Sequence, residues 1–201
     1  QTYFSYANTV GKGVVENNRL MKHNFNFRET ANFLNNKLTI DANINGMYQR
    51  GNNRVTSGGY YMNPLVGLYH FPRGGVEGGK DFYYYKENYQ VLNPSRNMMD
   101  QAWYQNASVG AGDFEQNPYW LINKAPNEDT RYRAMFNLSV KYQFNKLFSL
   151  QARGSADFIN DKNETHMYAG TSSILAGLNA QQTGSNGRYI YGEGSELTTY
   201  G

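Results

Sequence analysis

Four stretches of the sequence alternate apolar and polar residues at a period of two, and they are longer than the edge strands of soluble sheets usually need to be. Because successive side chains of a β-strand point to opposite faces, this alternation predicts strands with one apolar and one hydrated side. The stretches lie at about residues 21–33, 38–50, 131–144 and 147–159, and the short turns Leu34–Lys37 and Asn145–Lys146 join them in pairs. Two hairpins of this kind are typical of the wall of a transmembrane β-barrel.

Each predicted hairpin has an apolar set of residues on one parity. In the first hairpin the set is Met21, His23, Phe25, Phe27, Ala31, Phe33, Leu38, Ile40, Ala42, Ile44, Gly46 and Tyr48. In the second it is Tyr132, Ala134, Phe136, Leu138, Val140, Tyr142, Phe144, Phe148, Leu150, Ala152, Gly154, Ala156 and Phe158. Glu29 shares the apolar parity, where a carboxylate is unfavourable, so we expect it near the inner membrane interface or beside a bulge that switches the parity.

Composition excludes a helical membrane anchor. The mean hydropathy is −0.74, and no apolar run approaches the roughly 18 to 20 residues that a spanning helix needs. The 18 Tyr, 11 Phe and 2 Trp supply the apolar surface instead. The net charge of +3 is dispersed without a basic run, so nothing predicts a nucleic-acid partner.

The connections between the predicted strands are unequal in length, and this inequality assigns them to sides of a membrane. The two short turns are typical of the periplasmic rim, whereas residues 10–19, 51–130 and 160–188 are expected to be extracellular loops. A further strand is predicted at about residues 2–9, and Ser195–Gly201 also resembles one. Long loops of outer-membrane barrels are an expected place for function.

The long loops contain predicted helices. Asn63-Pro64 predicts one through Tyr69 and Asn93-Pro94 a second to about Asn106, because Asn suits the cap and Pro the first turn. A third is predicted at Thr171–Gln181, with Ser172 as its cap. Phe82–Tyr85, which follows a Gly-rich stretch, does not have the pattern of a helix start.

Four loop aromatics, Trp103, Tyr104, Tyr119 and Trp120, are the candidate ligand or lid contacts. Aromatic side chains stack on sugar faces and anchor peptides, but they also pack loops against their neighbours, and both uses stay open. The oxygen-rich cluster at Asp157–Glu164 has calcium binding and plain loop-start polarity as its two interpretations. The three histidines lack metal-ligand spacing, and no motif predicts a metal, a cofactor or a catalytic residue.

Seven short segments carry a further pattern. They are Thr2-Tyr3-Phe4-Ser5-Tyr6, Asn24-Phe25-Asn26-Phe27-Arg28, Lys37-Leu38-Thr39-Ile40, Met62-Asn63-Pro64-Leu65, Phe71-Pro72-Arg73-Gly74, Gln116-Asn117-Pro118-Tyr119-Trp120 and Glu128-Asp129-Thr130-Arg131. Together they resemble the SusC-like TonB-dependent transporters of the Bacteroidetes outer membrane. The resemblance runs along nearly the whole chain.

The resemblance implies an outer-membrane importer of oligomeric nutrients, a glycan or a peptide, and not an enzyme. Such a protein has a barrel of about 22 strands closed by a plug, is driven by the inner-membrane TonB complex, and carries a SusD-like lipoprotein as a lid. Residues 1–201 would then be one segment of the barrel domain, embedded in outer-membrane lipid, without the plug or the TonB box.

Two alternatives belong to other functional classes. An outer-membrane barrel hydrolase would need carboxylate or His groups that converge at the strand ends, and Asp157 with His166 is the weak candidate pair. A secreted β-sandwich adhesin would need polar sheet exteriors and turn signals every 8 to 12 residues or so.

Overall fold

The computed structural model describes residues 1–55, 62–76, 78–104, 116–171 and 187–201. Six strands form one antiparallel sheet in the order β1-β2-β3-β6-β7-β8. Their bounds are β1 Thr2–Lys12, β2 Arg19–Phe33, β3 Leu38–Asn52, β6 Asn127–Gln143, β7 Ser149–Met167 and β8 Arg188–Tyr200. A separate two-stranded ribbon pairs β4 (Gln90–Asn93) with β5 (Met98–Gln101). The chain is mostly strand with few helices, which confirms the all-β class.

The pairing register is continuous between all neighbouring strands of the sheet. Phe4, Phe27, Ile44, Phe136 and Ala156 are successive partners across five strands. The apolar sets of the two hairpins therefore share one side of the sheet, the apolar face, and the polar residues between them form the polar face. Glu29 is paired with Ala42 in the same unbroken register and lies on the apolar face. Of the two explanations expected for Glu29, the bulge is therefore wrong.

The strands are longer than predicted, always at the end where the long connections lie, which we call the loop end. The strand β1 continues to Lys12, β7 continues to Met167, and β6 already begins at Asn127. Near this end both faces become polar, so the alternation in the sequence fades. The backbone ladder needs no side-chain alternation to continue, and it does so.

The described part of the connection between β3 and β6 contains three short helices. They are α1 (Pro64–His70), α2 (Phe82–Glu87) and α3 (Pro118–Lys124). The helix predicted after Asn63 is confirmed, with the side chain of Asn63 accepting a hydrogen bond from the Leu65 amide at 3.0 Å. No helix in the described ranges is long and apolar enough to cross a membrane.

Two helix predictions were wrong. Asn93-Pro94 opens the turn of the β4–β5 ribbon and not a helix. The chain reverses in this turn, where Asn97 has a φ of +49°. Phe82–Tyr85 does begin a helix, and the Asp81 carboxylate caps it by accepting from the Tyr84 amide at 2.8 Å. The helix predicted at Thr171–Gln181 lies outside the described residues from position 172 onward.

The buried core of the described residues lies at the loop end and not under the sheet. Its hydrophobic members are Tyr85, Trp103, Trp120, Leu121, Ile122, Ala125 and Met167. By contrast, large side chains of the apolar face stay exposed, among them Phe4 at 59%, Leu138 at 50% and Leu150 at 63%. In the part of the chain that the structure describes, no second layer covers this face.

The opposite end of the sheet, the turn end, contains a strained residue. Leu34 has a φ of +53° in the turn between β2 and β3, a left-handed conformation that costs a residue with a Cβ about 1–2 kcal/mol. Replacing Leu34 with Gly is expected to leave stability unchanged or to raise it by up to about 1 kcal/mol, since the relieved strain outweighs the added freedom of the unfolded chain. The urea unfolding midpoint measures this.

The matched control is Leu147→Gly in the other turn, where Leu147 is also exposed and has no positive φ. It is expected to lower stability by about 0.5–1 kcal/mol. Equal losses from the two substitutions would contradict the strain at Leu34.

Candidate functional site

The helix α3 is fixed to the ends of the strands by Asn53, the residue after β3. The Asn53 side chain donates to the Ile122 carbonyl at 3.0 Å and accepts from the Asn127 amide at 3.2 Å. Beyond α3, the Tyr168 amide donates to the Lys124 carbonyl at 2.9 Å. Leu121 and Ala125 pack with Met167 of β7. We call the described residues 62–76, 78–104, 116–126 and 168–171, which meet these strand ends through α3, the loop unit.

Asn117 connects the parts of the loop unit. It is fully buried, and its amide nitrogen donates to the carbonyls of Tyr85 at 3.0 Å and Ala102 at 2.7 Å. Its side-chain oxygen accepts from the Tyr119 amide at 2.9 Å and so caps α3. One side chain therefore satisfies the backbone of α2, of the segment after β5 and of α3.

Six aromatic residues form a cluster beside Asn117. The aromatic cluster consists of Phe71, Phe82, Tyr85, Trp103, Tyr104 and Tyr119, joined by ring contacts. Tyr84 touches its edge through Tyr85, with ring centroids 5.2 Å apart. Phe71 lies at its centre, with ring centroids 5.5 Å from Trp103 and 5.2 Å from Tyr104. Such pairs stabilise a core by about 0.5–1.5 kcal/mol each beyond the burial of their area.

The four predicted contact residues divide between two places. Trp103, Tyr104 and Tyr119 belong to the aromatic cluster, where Trp103 is 9% exposed while Tyr104 and Tyr119 are half-buried. Trp120 is 1% exposed inside the core and donates through Nε1 to the Thr171 hydroxyl at 3.1 Å. The indoles therefore stabilise the loop unit, and the two tyrosines lie at its surface.

Three members of the aromatic cluster, Phe71, Phe82 and Tyr85, were not predicted. The aromatic run at 82–85 would have indicated Phe82 and Tyr85 if it had been predicted as a helix. The first and fourth residues of a helix of this length lie on the same side. The opposite side of α2 exposes Tyr83 at 74%.

The outer surface of the loop unit exposes apolar side chains. Tyr69 at the end of α1 is 79% exposed, and Leu92 and Met99, directly opposed in the β4–β5 ribbon, are 55% and 45% exposed. Leu92 and Met99 form a small exposed apolar patch, and such patches mark interaction surfaces more often than scattered groups do. This surface and the polar face are the two candidate recognition elements.

The polar face carries arginine–aspartate pairs between neighbouring strands. The Arg28 guanidinium donates twice to Asp41, at 3.0 and 2.8 Å, across β2 and β3. Across β6 and β7, Arg131 holds both oxygens of Asp161 at 2.6 Å, and Arg133 donates to Asp157 at 2.9 and 2.5 Å. The result is a hydrated wall that carries three ion pairs between neighbouring strands.

These pairs also revise the interpretation of the oxygen-rich cluster. Asp157, Asn160, Asp161, Asn163 and Glu164 all lie within β7, so the loop-start interpretation was wrong. Residues of alternating parity point to opposite faces, which separates Asn160 and Glu164 from the other three. Of those three, Asp157 and Asp161 are the carboxylates, and each is already held by an arginine. The described residues contain no group of three or more His, Cys, Asp or Glu side chains placed to hold a metal ion.

An aromatic row crosses the apolar face below the loop end. It consists of Tyr6, His23, Tyr48 and Tyr132 on four neighbouring strands, with successive ring centroids 6.0, 6.0 and 5.1 Å apart. The Tyr6 hydroxyl and His23 Nδ1 share a hydrogen bond of 2.6 Å. Above the row the same face is charged, with Arg50 bonded to Glu128 at 2.5 Å. The row is thus a boundary between an apolar band and a polar margin.

The connection between β1 and β2 is tied to the loop unit by an ion pair. Lys86 of α2 lies 2.7 Å from Glu16, and this hydrogen bond raises the pKa of Lys86. The Lys86 ammonium also lies 5.3 Å from the ring centroid of Tyr119, and burial raises the pKa of Tyr119. Tyr119 is therefore held beside a cation where the two connections meet.

Compared with models of known protein families, the chain matches none. A search among curated proteins also found no match.

The geometry around Asn117 generates a prediction. Asn117→Ala removes a helix cap, which costs about 1 kcal/mol, and leaves two buried carbonyls without a donor, at about 1–3 kcal/mol each. We expect the loop unit to lose about 3 kcal/mol or more of local stability, measured by hydrogen exchange at the amides of α2 and α3. Asn63→Ala, which removes a cap alone, should cost about 1 kcal/mol. Similar losses in the two variants would contradict the linking role of Asn117.

Proposed function

We propose that this chain forms part of a transmembrane β-barrel of the bacterial outer membrane, and that the barrel imports oligomeric nutrients by TonB-dependent transport. The observation that carries the proposal is the sheet itself. One face is an uncovered apolar band that ends at an aromatic row, and the other is a polar wall of paired charges. A soluble sheet would bury the first face, whereas lipid covers it in a membrane.

The height of the apolar band fits a bilayer. Along β3 the band runs from Leu38 to Tyr48, and ten residues at about 3.3 Å each measure roughly 33 Å. Strands of outer-membrane barrels tilt by about 35–45°, which converts this length to a height of about 25 Å. That height is typical of their lipid-facing band, and aromatic girdles are typical of its borders.

The open edges of the sheet require further strands. Outward from β1 and from β8, the described residues supply no pairing strand. An unpaired edge in lipid leaves backbone groups without partners at several kcal/mol each, so the proposed barrel must close through other strands. The resemblance to SusC-like transporters supports about 22 strands in total, with a plug that couples to the TonB complex.

The polar face would line the lumen, and the loop unit would lie outside the cell. The polar side chains and the three ion pairs of this wall suit a passage for hydrated oligomers, glycans or peptides. Tyr69 and Tyr83 with the β4–β5 ribbon supply an exposed apolar surface for a SusD-like lipoprotein lid. Tyr104 and Tyr119 at the margin of the aromatic cluster would contact the lid or the substrate.

The two alternatives lack a specific observation in their favour. A β-sandwich needs a second sheet over the apolar face, and the described sheet has none. For a hydrolase the candidate pair was Asp157 with His166, but these residues lie on opposite faces of β7, and Asp157 is bonded to Arg133. No other function is proposed.

The membrane assignment predicts a difference between the two parities of one strand. Arg substituted for Phe136 on the apolar face should cost about 2–4 kcal/mol in folding into lipid vesicles, because the charge must enter the hydrocarbon layer. Arg at the adjacent Asn137 on the polar face should be tolerated. Equal tolerance at the two positions would favour a soluble sheet.

The transport assignment predicts two results in cells that carry the protein. Uptake of the cognate oligomer should stop when an uncoupler collapses the proton-motive force, since a plugged barrel needs external work.

Tyr69→Ser with Tyr83→Ser should weaken association with the lid about tenfold or more, because exposed aromatic anchors dominate such interfaces. Leu147→Ser at the turn end, which also removes an exposed apolar side chain, is the control and should leave association unchanged.

Two outcomes would reject the importer. Uptake that continues in the presence of uncoupler would indicate a passive pore, and turnover of the oligomer by the purified protein alone would indicate a hydrolase.

A further inference from the structure

A cationic pair lies on the apolar face above the aromatic row. Lys12 of β1 and Arg19 of β2 are directly opposite each other in the register. They share the face of Tyr6 and His23, because an even number of residues separates each from the row member on its own strand. Both side chains are exposed. Like charges directly opposite on neighbouring strands destabilise a sheet, and an anion bound between the two side chains would offset this repulsion.

The described residues do not supply that anion. Other cations of the same margin are neutralised within it, Arg50 by Glu128 at 2.5 Å and Lys162 by Glu193 at 3.6 Å. The partner of Arg19 on β3 is the neutral Asn52. In the described ranges no carboxylate lies within ion-pair distance of Lys12 or Arg19.

The height of the pair fits a lipid headgroup. Arg19 lies four residues beyond His23 on β2, which is about 13 Å along the strand and about 10 Å above the aromatic row at a tilt near 40°. The aromatic row would mark the border of the hydrocarbon layer. The long Lys and Arg side chains can therefore reach the layer that contains the headgroups.

The geometry points to a binding site for the phosphate of an outer-leaflet glycolipid, held by Lys12 and Arg19. A guanidinium offers forked donors to phosphate oxygens, and an ammonium adds a compact charge beside it. A bound phosphate also removes the repulsion between the two cations. The inference rests on the proposed membrane location and adds the chemical class of the lipid that contacts this strip of the wall.

The test uses the protein as purified from membranes in mild detergent. Native mass spectrometry measures its apparent Kd for diphosphorylated lipid A and for the same lipid with its phosphates removed. The variant K12Q/R19Q should bind the phosphorylated lipid about 30-fold more weakly, since each basic side chain near an anionic surface contributes roughly a fivefold factor. Its binding of the dephosphorylated lipid should not change.

The control variant K22Q/K141Q removes two positive charges from the polar face of the same sheet. It should bind both lipids as the unaltered protein does. Equal losses in the two double variants would overturn the site, and so would full competition by millimolar inorganic phosphate, which would indicate a free-anion site. Failure of the membrane proposal looks different, because the protein would then bind neither form of the lipid and would be absent from the outer-membrane fraction.

Discussion

The backbone register of the six-stranded sheet is the constraint on which the rest of the structure depends. The strand β3 is paired along its whole length with β2 on one side and β6 on the other. A slip of one residue in either ladder would move Phe27, Ile44 and Phe136 out of line and place charged residues among apolar ones. The unbroken ladder therefore creates the two faces, and it also brings together cross-strand pairs such as Arg133 with Asp157.

The loop unit follows from the same constraint, because its anchors are the ends of those strands. The Asn53 amide donates to the Asn127 carbonyl and so continues the pairing of β3 with β6 by one step. The Asn53 side chain then donates to the Ile122 carbonyl of α3. Asn117 then spreads the order from α3 to α2 and to the segment after β5. A connection of this length becomes a packed body because its buried backbone groups find partners, as buried backbone in general must. In the proposed barrel, this order makes the loop unit a platform for a lid.

Charge is arranged differently on the two faces. On the polar face, Arg28 and Arg131 are each held by an aspartate of a neighbouring strand. The loop-end margin of the apolar face contains ion-paired cations and also Lys12 and Arg19, for which the described residues supply no carboxylate. In the proposed barrel the polar face would line a hydrated lumen, whereas the loop-end margin would contact anionic lipid. The proposals for transport and for lipid binding thus draw on separate parts of one sheet.

The all-β class, the two hairpins and the composition of each face were predictable from the sequence, because the side-chain period of a strand is written directly in the order of residues. The barrel, its membrane and its partners stay proposals. The loop ends of the strands were not predictable, since beyond the aromatic row the alternation of apolar and polar residues fades while the backbone ladder continues. The same limit applies to the Asn-Pro pairs, in which the Asn side chain accepts a bond from the amide two residues on at 63, 93 and 117.

Two of these Asn-Pro pairs open helices and one opens a hairpin turn, so the local motif alone does not decide the outcome. Sequence determined the strands, their faces and the first bond of each cap, because these depend on near neighbours. Tertiary structure alone decided which cap became a helix, which aromatics were buried and which charges found partners. Those outcomes depend on residues that are distant in sequence and meet only when the strands are aligned.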